Sequence, residues 1–125
     1  MILDTNSLSA FADGVESLQR LLHAAPSVEV PVIVLGEFRY GIEQSRDRAR
    51  YQIWIAEFRP RSRVLAIDEE TWVRYAQIRN ELRKAGTPIP PNDAWIAALC
   101  RQHSLPLLSR DRHFDSVRGI HRIDW

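Results

Sequence analysis

The sequence predicts an α/β protein with a parallel sheet that helices cover on both faces. Two observations predict this class: short apolar segments alternate with helical segments, and no tight hairpin joins two apolar segments. The size of the chain predicts the number of domains, because 125 residues, 45% of them hydrophobic, suit one domain spanning residues 1–125 with a substantial core.

The chain opens with a strand and two helical segments. MILDT is short and apolar, so it predicts a buried strand with Asp4 at its end. The polar residues that follow predict a helix capped near Thr5 or Asn6. Apolar residues then keep helical spacing as far as Pro26.

The next two strands flank a helical region. VEVPVIV predicts a second strand that Pro31 limits to its first half, so Glu37 falls in the first turns of the following helix. An apolar stripe from Tyr51 to Phe58 predicts another helix, which Pro60 ends. RVLAI predicts the third strand.

A long surface helix follows, opened by Asp68 or Glu69 and stopped by Gly86. Glu70 and Arg74 have the spacing of an ion pair on its polar side. The side predicted to be buried carries Trp72, Tyr75, Ala76, Ile78 and Leu82.

The last part of the chain contains a helix and two strands. Proline-rich TPIPPN predicts an extended connection before Asp93 begins a helix that is apolar almost all round, and therefore central. LPLLS predicts a fourth strand, and IHRID a short fifth one.

Four acidic residues, Asp4, Glu37, Asp93 and Asp111, follow strands or lie near helix N-termini. In a parallel sheet such positions can meet at one edge. Each residue alone is better explained as a turn former or a helix-end charge. Together, their oxygens suit Mg²⁺ or Mn²⁺ and indicate metal-dependent phosphodiester chemistry.

Other functions find little support. No GxxxxGK[ST] phosphate loop occurs, the single cysteine excludes an internal disulfide, and His113 is expected to pack or cap locally. A net charge of +1 does not by itself indicate nucleic-acid binding. No segment approaches the roughly 18–20 apolar residues of a membrane span, and the N-terminus lacks signal-peptide order, so we expect a cytoplasmic protein.

LDTN, GEFRYGI, PPNDAWIAA and LLSRDRHFD together resemble the PIN-domain ribonucleases, and within them the VapC-type toxins of toxin–antitoxin pairs. The resemblance spans nearly the whole chain. It implies a three-layer α/β/α sandwich with a parallel sheet of four to five strands. It also implies a Mg²⁺ or Mn²⁺ cofactor, endonucleolytic cleavage of RNA, a VapB-like antitoxin partner and a homodimer.

The resemblance also implies roles for individual residues. Asp4, Glu37, Asp93 and Asp111 match the catalytic and metal-binding acidic positions of the family. We expect Asp4 and Asp93 to be the principal metal ligands, and Glu37 and Asp111 to complete the ligand set or hold its waters. An activated water then attacks the phosphorus. The auxiliary positions are Asn6, Ser109 and Asp115. The candidates for holding RNA are Arg39, Arg110 and Arg112, each of which is equally explained by pairing with a carboxylate.

Two further hypotheses remain at this stage. A PIN-like domain can persist as a silent binding or assembly module, although the complete acidic set argues against that. A DNA-directed, structure-specific nuclease is disfavoured because the short chain has no inserted arch or extra domain.

Overall fold

The computed structural model describes residues 1–125 and contains five short strands and six helices. The strands are β1 (Ile2–Leu3), β2 (Glu29–Pro31), β3 (Arg63–Leu65), β4 (Leu107–Leu108) and β5 (Arg122–Ile123). The helices are α1 (Thr5–Ala12), α2 (Glu16–Ala24), α3 (Val32–Glu43), α4 (Arg48–Phe58), α5 (Glu69–Ala85) and α6 (Pro91–His103). Two 3-10 turns cover Arg59–Arg61 and Arg112–Ser116.

The five strands form one parallel sheet in the order β3-β2-β1-β4-β5. The helices fall into two groups, since α1 contacts α2, α3 and α4 while α5 packs along α6. The predicted α/β/α sandwich is therefore confirmed, with β1 at the centre of the sheet. No helix combines the length and apolar character that a membrane crossing requires.

Two predicted boundaries at prolines and glycines are confirmed. β2 ends at Pro31 and α3 begins at Val32, since proline fixes its own φ and offers no N–H to a strand partner. α5 ends at Gly86, whose φ of 71° places it in the left-handed region where glycine avoids a steric penalty.

The predicted central helix is α6. Its residues Ala94 and Ile96–Cys100 are all buried. It packs against α5, where the Tyr75 ring stacks on Trp95 with the ring centroids 3.8 Å apart. The carboxyl-terminal half of the chain thus supplies both the fourth strand and this buried helix.

The predicted buried face of α5 is partly wrong. Thr71, Ile78 and Leu82 are buried, whereas Trp72 is 57% exposed and Ala76 is exposed as well. Thr71 is polar, but its hydroxyl interacts with the Asp68 carboxylate and the Gln102 side chain, so its burial leaves no polar atom unsatisfied.

The predicted cap of α1 is also displaced. Asp4, and not Thr5 or Asn6, is the N-cap residue, and its Oδ1 accepts the Ser7 N–H at 2.7 Å. The predicted Glu70–Arg74 pair is present at 3.3 Å on the exposed side of α5.

We predict that Trp72→Ala and Ile78→Ala differ sharply in their effect on stability. Ile78 is fully buried, so its truncation should cost about 2–5 kcal/mol of unfolding free energy. Trp72 is largely exposed, and its truncation should cost about 1 kcal/mol or less. Urea denaturation measures both values. Comparable losses in the two variants would place Trp72 in the core.

Candidate active site

The parallel pairing of β1 with β4 brings two chain segments to one edge of the sheet. Ile2 lies opposite Leu107, and Leu3 lies opposite Leu108. The chain leaves both strands at the same edge, so Asp4 follows one strand and Ser109 and Asp111 follow the other. α3 starts directly after the neighbouring β2 and carries Glu37.

Asp4, Glu37, Asp93 and Asp111 line a single cleft of about 350 Å³ at this edge. Asp93 reaches it from the first turn of α6. The other residues that line the cleft are Thr5, Asn6, Tyr40 and Ile96. The structure therefore brings together the four carboxylates that lie far apart in the sequence.

Asp4 is the most buried of these acids, with 4% of its surface exposed. Its carboxylate caps α1 through the bond to the Ser7 N–H, and the Ser7 hydroxyl donates to the Asp4 carbonyl at 3.0 Å. One carboxylate oxygen is thus engaged by the backbone. The helix end offers partial positive charge that favours a carboxylate at this position.

Glu37 is held by two neutral donors. The Asn92 side-chain amide donates to Oε1 at 2.6 Å, and the Thr5 hydroxyl donates to Oε2. Sequence reasoning missed both partners. The available signal was their position, because Thr5 follows Asp4 and Asn92 precedes Asp93.

Asp93 carries the clearest electrostatic perturbation of the site. The pKa of its carboxyl is raised from 3.8 to about 6, mainly by burial and in addition by the negative charges of Asp111, Asp4 and Glu37. His113 opposes the shift. Burial and repulsion among the converging carboxylates therefore together increase the proton affinity of Asp93.

Asp111 caps the 3-10 turn that follows β4, and its Oδ1 accepts the His113 N–H at 2.9 Å. The His113 ring Nδ1 lies 3.0 Å from the same oxygen. His113 therefore makes the expected local contact. It also lies close to Asp93, since ligand atoms of Asp93, Asp111 and His113 all fall within 4.8 Å of one another, a proximity that sequence spacing did not reveal.

The three auxiliary candidates have different environments. Asn6 is exposed and lines the cleft. Ser109 is fully buried, and its hydroxyl accepts the Asp111 N–H at 2.9 Å. Asp115 does not line the cleft; it pairs with Arg122 at 2.7 Å, and Arg122 also donates to the Ser109 carbonyl at 2.8 Å.

Two of the three candidate RNA-binding arginines have other partners. Arg39 pairs with Glu43 one turn along α3 at 2.8 Å. Arg110 lies 3.8 Å above the Trp125 ring and donates to its carbonyl at 2.6 Å. Arg112 is exposed on the 3-10 turn next to Asp111.

The donor set of the cleft fits a divalent cation. Its four carboxylates supply hard oxygen ligands, and no lysine or arginine lies within ion-pair distance of any of them. Repulsion from Asp111, Asp4 and Glu37 contributes, after burial, to the raised pKa of Asp93. A bound cation would relieve this repulsion.

The PIN domain family matches residues 1–120 of this chain. Ribonuclease VapC4 of Mycobacterium tuberculosis is 30% identical over 93 residues, which cover 73% of this chain and 72% of the relative. The tRNA(fMet)-specific endonuclease VapC of Salmonella typhimurium is 34% identical over 94 residues, covering 74% and 71%. The crystal structure of DNA-bound VapBC from Salmonella typhimurium contains a similar chain, with a TM-score of 0.90, 29% identity, and coverage of 99% and 96%. The chain therefore belongs to the PIN domain family, and within it to the VapC type.

Proposed function

We propose that this protein is the toxin of a type II toxin–antitoxin pair and cuts RNA with Mg²⁺ or Mn²⁺ as cofactor. The observation that carries the proposal is the convergence of four carboxylates, none of them paired with a lysine or arginine, in one cleft. Relatives named as a ribonuclease and a tRNA endonuclease support RNA as the substrate. A complete acidic set also disfavours a silent binding module.

Asp4 and Asp93 would be the principal ligands of the cation. Glu37 and Asp111 would complete the ligand set or hold its waters. Bound there, Mg²⁺ or Mn²⁺ supplies the field that activates a water and neutralises the charge developing on the phosphate.

The protein holds the carboxylate side chains of the cleft in fixed orientations. The helix cap restrains Asp4, and the bonds from Thr5 and Asn92 restrain both oxygens of Glu37. The Ser109 hydroxyl restrains the turn that carries Asp111. Groups held in place before the reaction need little reorganisation during it, which lowers the barrier to an in-line attack on phosphorus.

The ends of the RNA products test this mechanism. His113 is the one histidine grouped with the site acids, so no histidine pair is available to act as general acid and base on the 2′-hydroxyl. We expect 5′-phosphate and 3′-hydroxyl ends, and loss of cleavage in excess EDTA. Sequencing and end-labelling of products measure both. Cyclic 2′,3′-phosphates, or full activity in EDTA, would refute the mechanism.

Thermal melting tests whether the carboxylates share a cation. A cation bound only to the folded state at a hundredfold excess over its Kd should stabilise the wild type by about 2.7 kcal/mol. Asp93→Asn should lose most of this metal-induced stabilisation, and its rate of RNA cleavage should fall by on the order of 100-fold or more. Asp115→Asn is the matched control, because that carboxylate pairs with Arg122 outside the cleft and should leave the gain intact. Equal gains in all three proteins would mean that no shared site exists.

The same melts have a defined pH dependence without metal. The folded pKa of Asp93 is raised from 3.8 to about 6, so between these values the folded state binds more protons than the unfolded state. Protonation of Asp93 contributes favourably to the free energy of unfolding. This contribution is complete below about pH 3.8 and is lost as the pH rises through about 6. In EDTA, Asp93→Asn should therefore become progressively more stable than wild type between about pH 4 and about pH 7.

We also propose a VapB-like antitoxin partner and a homodimer. The similar Salmonella typhimurium structure is described as VapBC, which supports the antitoxin. Candidate contacts are the apolar side chains of α2 and α4, which include Leu18, Leu21, Tyr51 and Trp54. Leu18 is fully buried within the chain and is excluded as a contact, and the other three are half-buried against the core.

Sedimentation and expression test these partners. The purified chain should sediment as a dimer at micromolar concentration, and its expression alone should arrest growth that co-expression of the adjacent small gene restores. Asp93→Asn is the control for toxicity, because it should express without harm. A monomer would exclude the dimer, and harmless expression of active wild type would exclude the toxin assignment.

A further inference from the structure

One large aromatic side chain at the cleft has no structural role in the fold. Tyr40 is 73% exposed, more than any other large hydrophobic residue of the chain. It lies on α3 three residues after Glu37, so both side chains project from the same face of the helix. Its side chain lines the acidic cleft. Among the exposed large hydrophobic residues, Tyr40 is the one at this cleft.

An aromatic ring offers the cleft a means of holding RNA that does not rely on charge. The carboxylates of the cleft repel phosphates except where a cation intervenes. Of the three candidate arginines, Arg39 is paired with Glu43 and Arg110 is stacked on Trp125, which leaves Arg112 beside Asp111 as the one exposed charge for the phosphates. A neutral aromatic ring can bind a base without competing with the carboxylates for the cation.

We propose that Tyr40 is a stacking platform for an unpaired base of the RNA beside the phosphate to be cut. This inference rests on the proposed ribonuclease function. The faces of a base in a duplex are covered by its neighbours, so only a single strand, loop or bulge can offer a face to Tyr40. Stacking tolerates any base, so Tyr40 selects for strandedness rather than for sequence.

Cleavage kinetics on a short unpaired RNA test the proposal. Tyr40→Ala should raise KM by at least about fivefold, the lower end of the range for base–aromatic stacking. Its kcat should change little, because the lost contact holds substrate and transition state alike. Tyr40→Phe and Tyr40→Trp keep the ring and should retain the wild-type KM. Annealing the RNA to its complement should abolish cleavage by the wild type.

Trp72→Ala is the matched control, since it removes an exposed aromatic ring on α5 that does not line the cleft. Its KM should equal that of the wild type. Fluorescence anisotropy in the Asp93→Asn background gives a second readout, in which Tyr40→Ala should weaken binding of the same RNA by a similar factor. The exposed position of Tyr40 predicts an unchanged melting temperature.

Several outcomes would overturn the inference. One is an unchanged KM in Tyr40→Ala. Another is an equal increase of KM in Tyr40→Phe, which would assign the effect to the hydroxyl group of Tyr40. A third is altered sedimentation of Tyr40→Ala with normal RNA cleavage, which would make Tyr40 a contact between protein chains. Absence of RNA cleavage by the wild type would instead refute the proposed function, and with it this inference.

Discussion

The parallel pairing of β1 with β4 is the interaction on which the rest of the structure depends. It aligns Leu3 with Leu108, so the two segments that carry Asp4 and Asp111 leave the sheet side by side. A slip of one residue would turn the buried side chains of a strand to its other face and misplace the acid beyond it. With strands this short, few ladder bonds hold the register. The buried face of α6, from Ala94 to Cys100, supplies packing that the sheet itself cannot.

The same alignment creates an electrostatic conflict. Burial and neighbouring charge both act against ionised Asp93, and no lysine or arginine offsets the site. The conflict is not spread over the protein, because nearby acids outside the cleft have basic partners, as Asp115 has Arg122 and Glu43 has Arg39. Repulsion is therefore confined to the edge of the sheet where a cation can offset it.

Much of the architecture could be predicted because its signals are local. Apolar runs, Pro31 and Gly86 mark strands and helix ends through the conformations that those residues permit. The buried face of α5 was harder, because its apolar residues span too wide an arc to define one side. Thr71 is buried there in place of Trp72, and its partner Gln102 lies on another helix.

In the site too, features with local sequence signals could be predicted and contacts between distant residues could not. The four acids could be predicted from their positions after strands and near helix ends. Their supporting contacts could not, since the bonds from Thr5 and Asn92 to Glu37 join residues distant in sequence. Asp115 differs from these four acids. The family resemblance implies an auxiliary role for it, and the structure shows it outside the cleft and paired with Arg122 on β5.

Asp4 joins the chemistry of the cleft to the folding of the chain. Its carboxylate lines the cleft and also caps the N-terminus of α1 by accepting the Ser7 N–H. Alanine at this position would remove a helix cap along with a site oxygen, whereas asparagine keeps an acceptor of the same shape. A sequence that loses the activity yet keeps the fold therefore gains about 1 kcal/mol from a capping side chain at position 4 relative to alanine. Selection for folding alone thus favours aspartate, asparagine, serine or threonine at this position even where the cleft no longer cuts RNA.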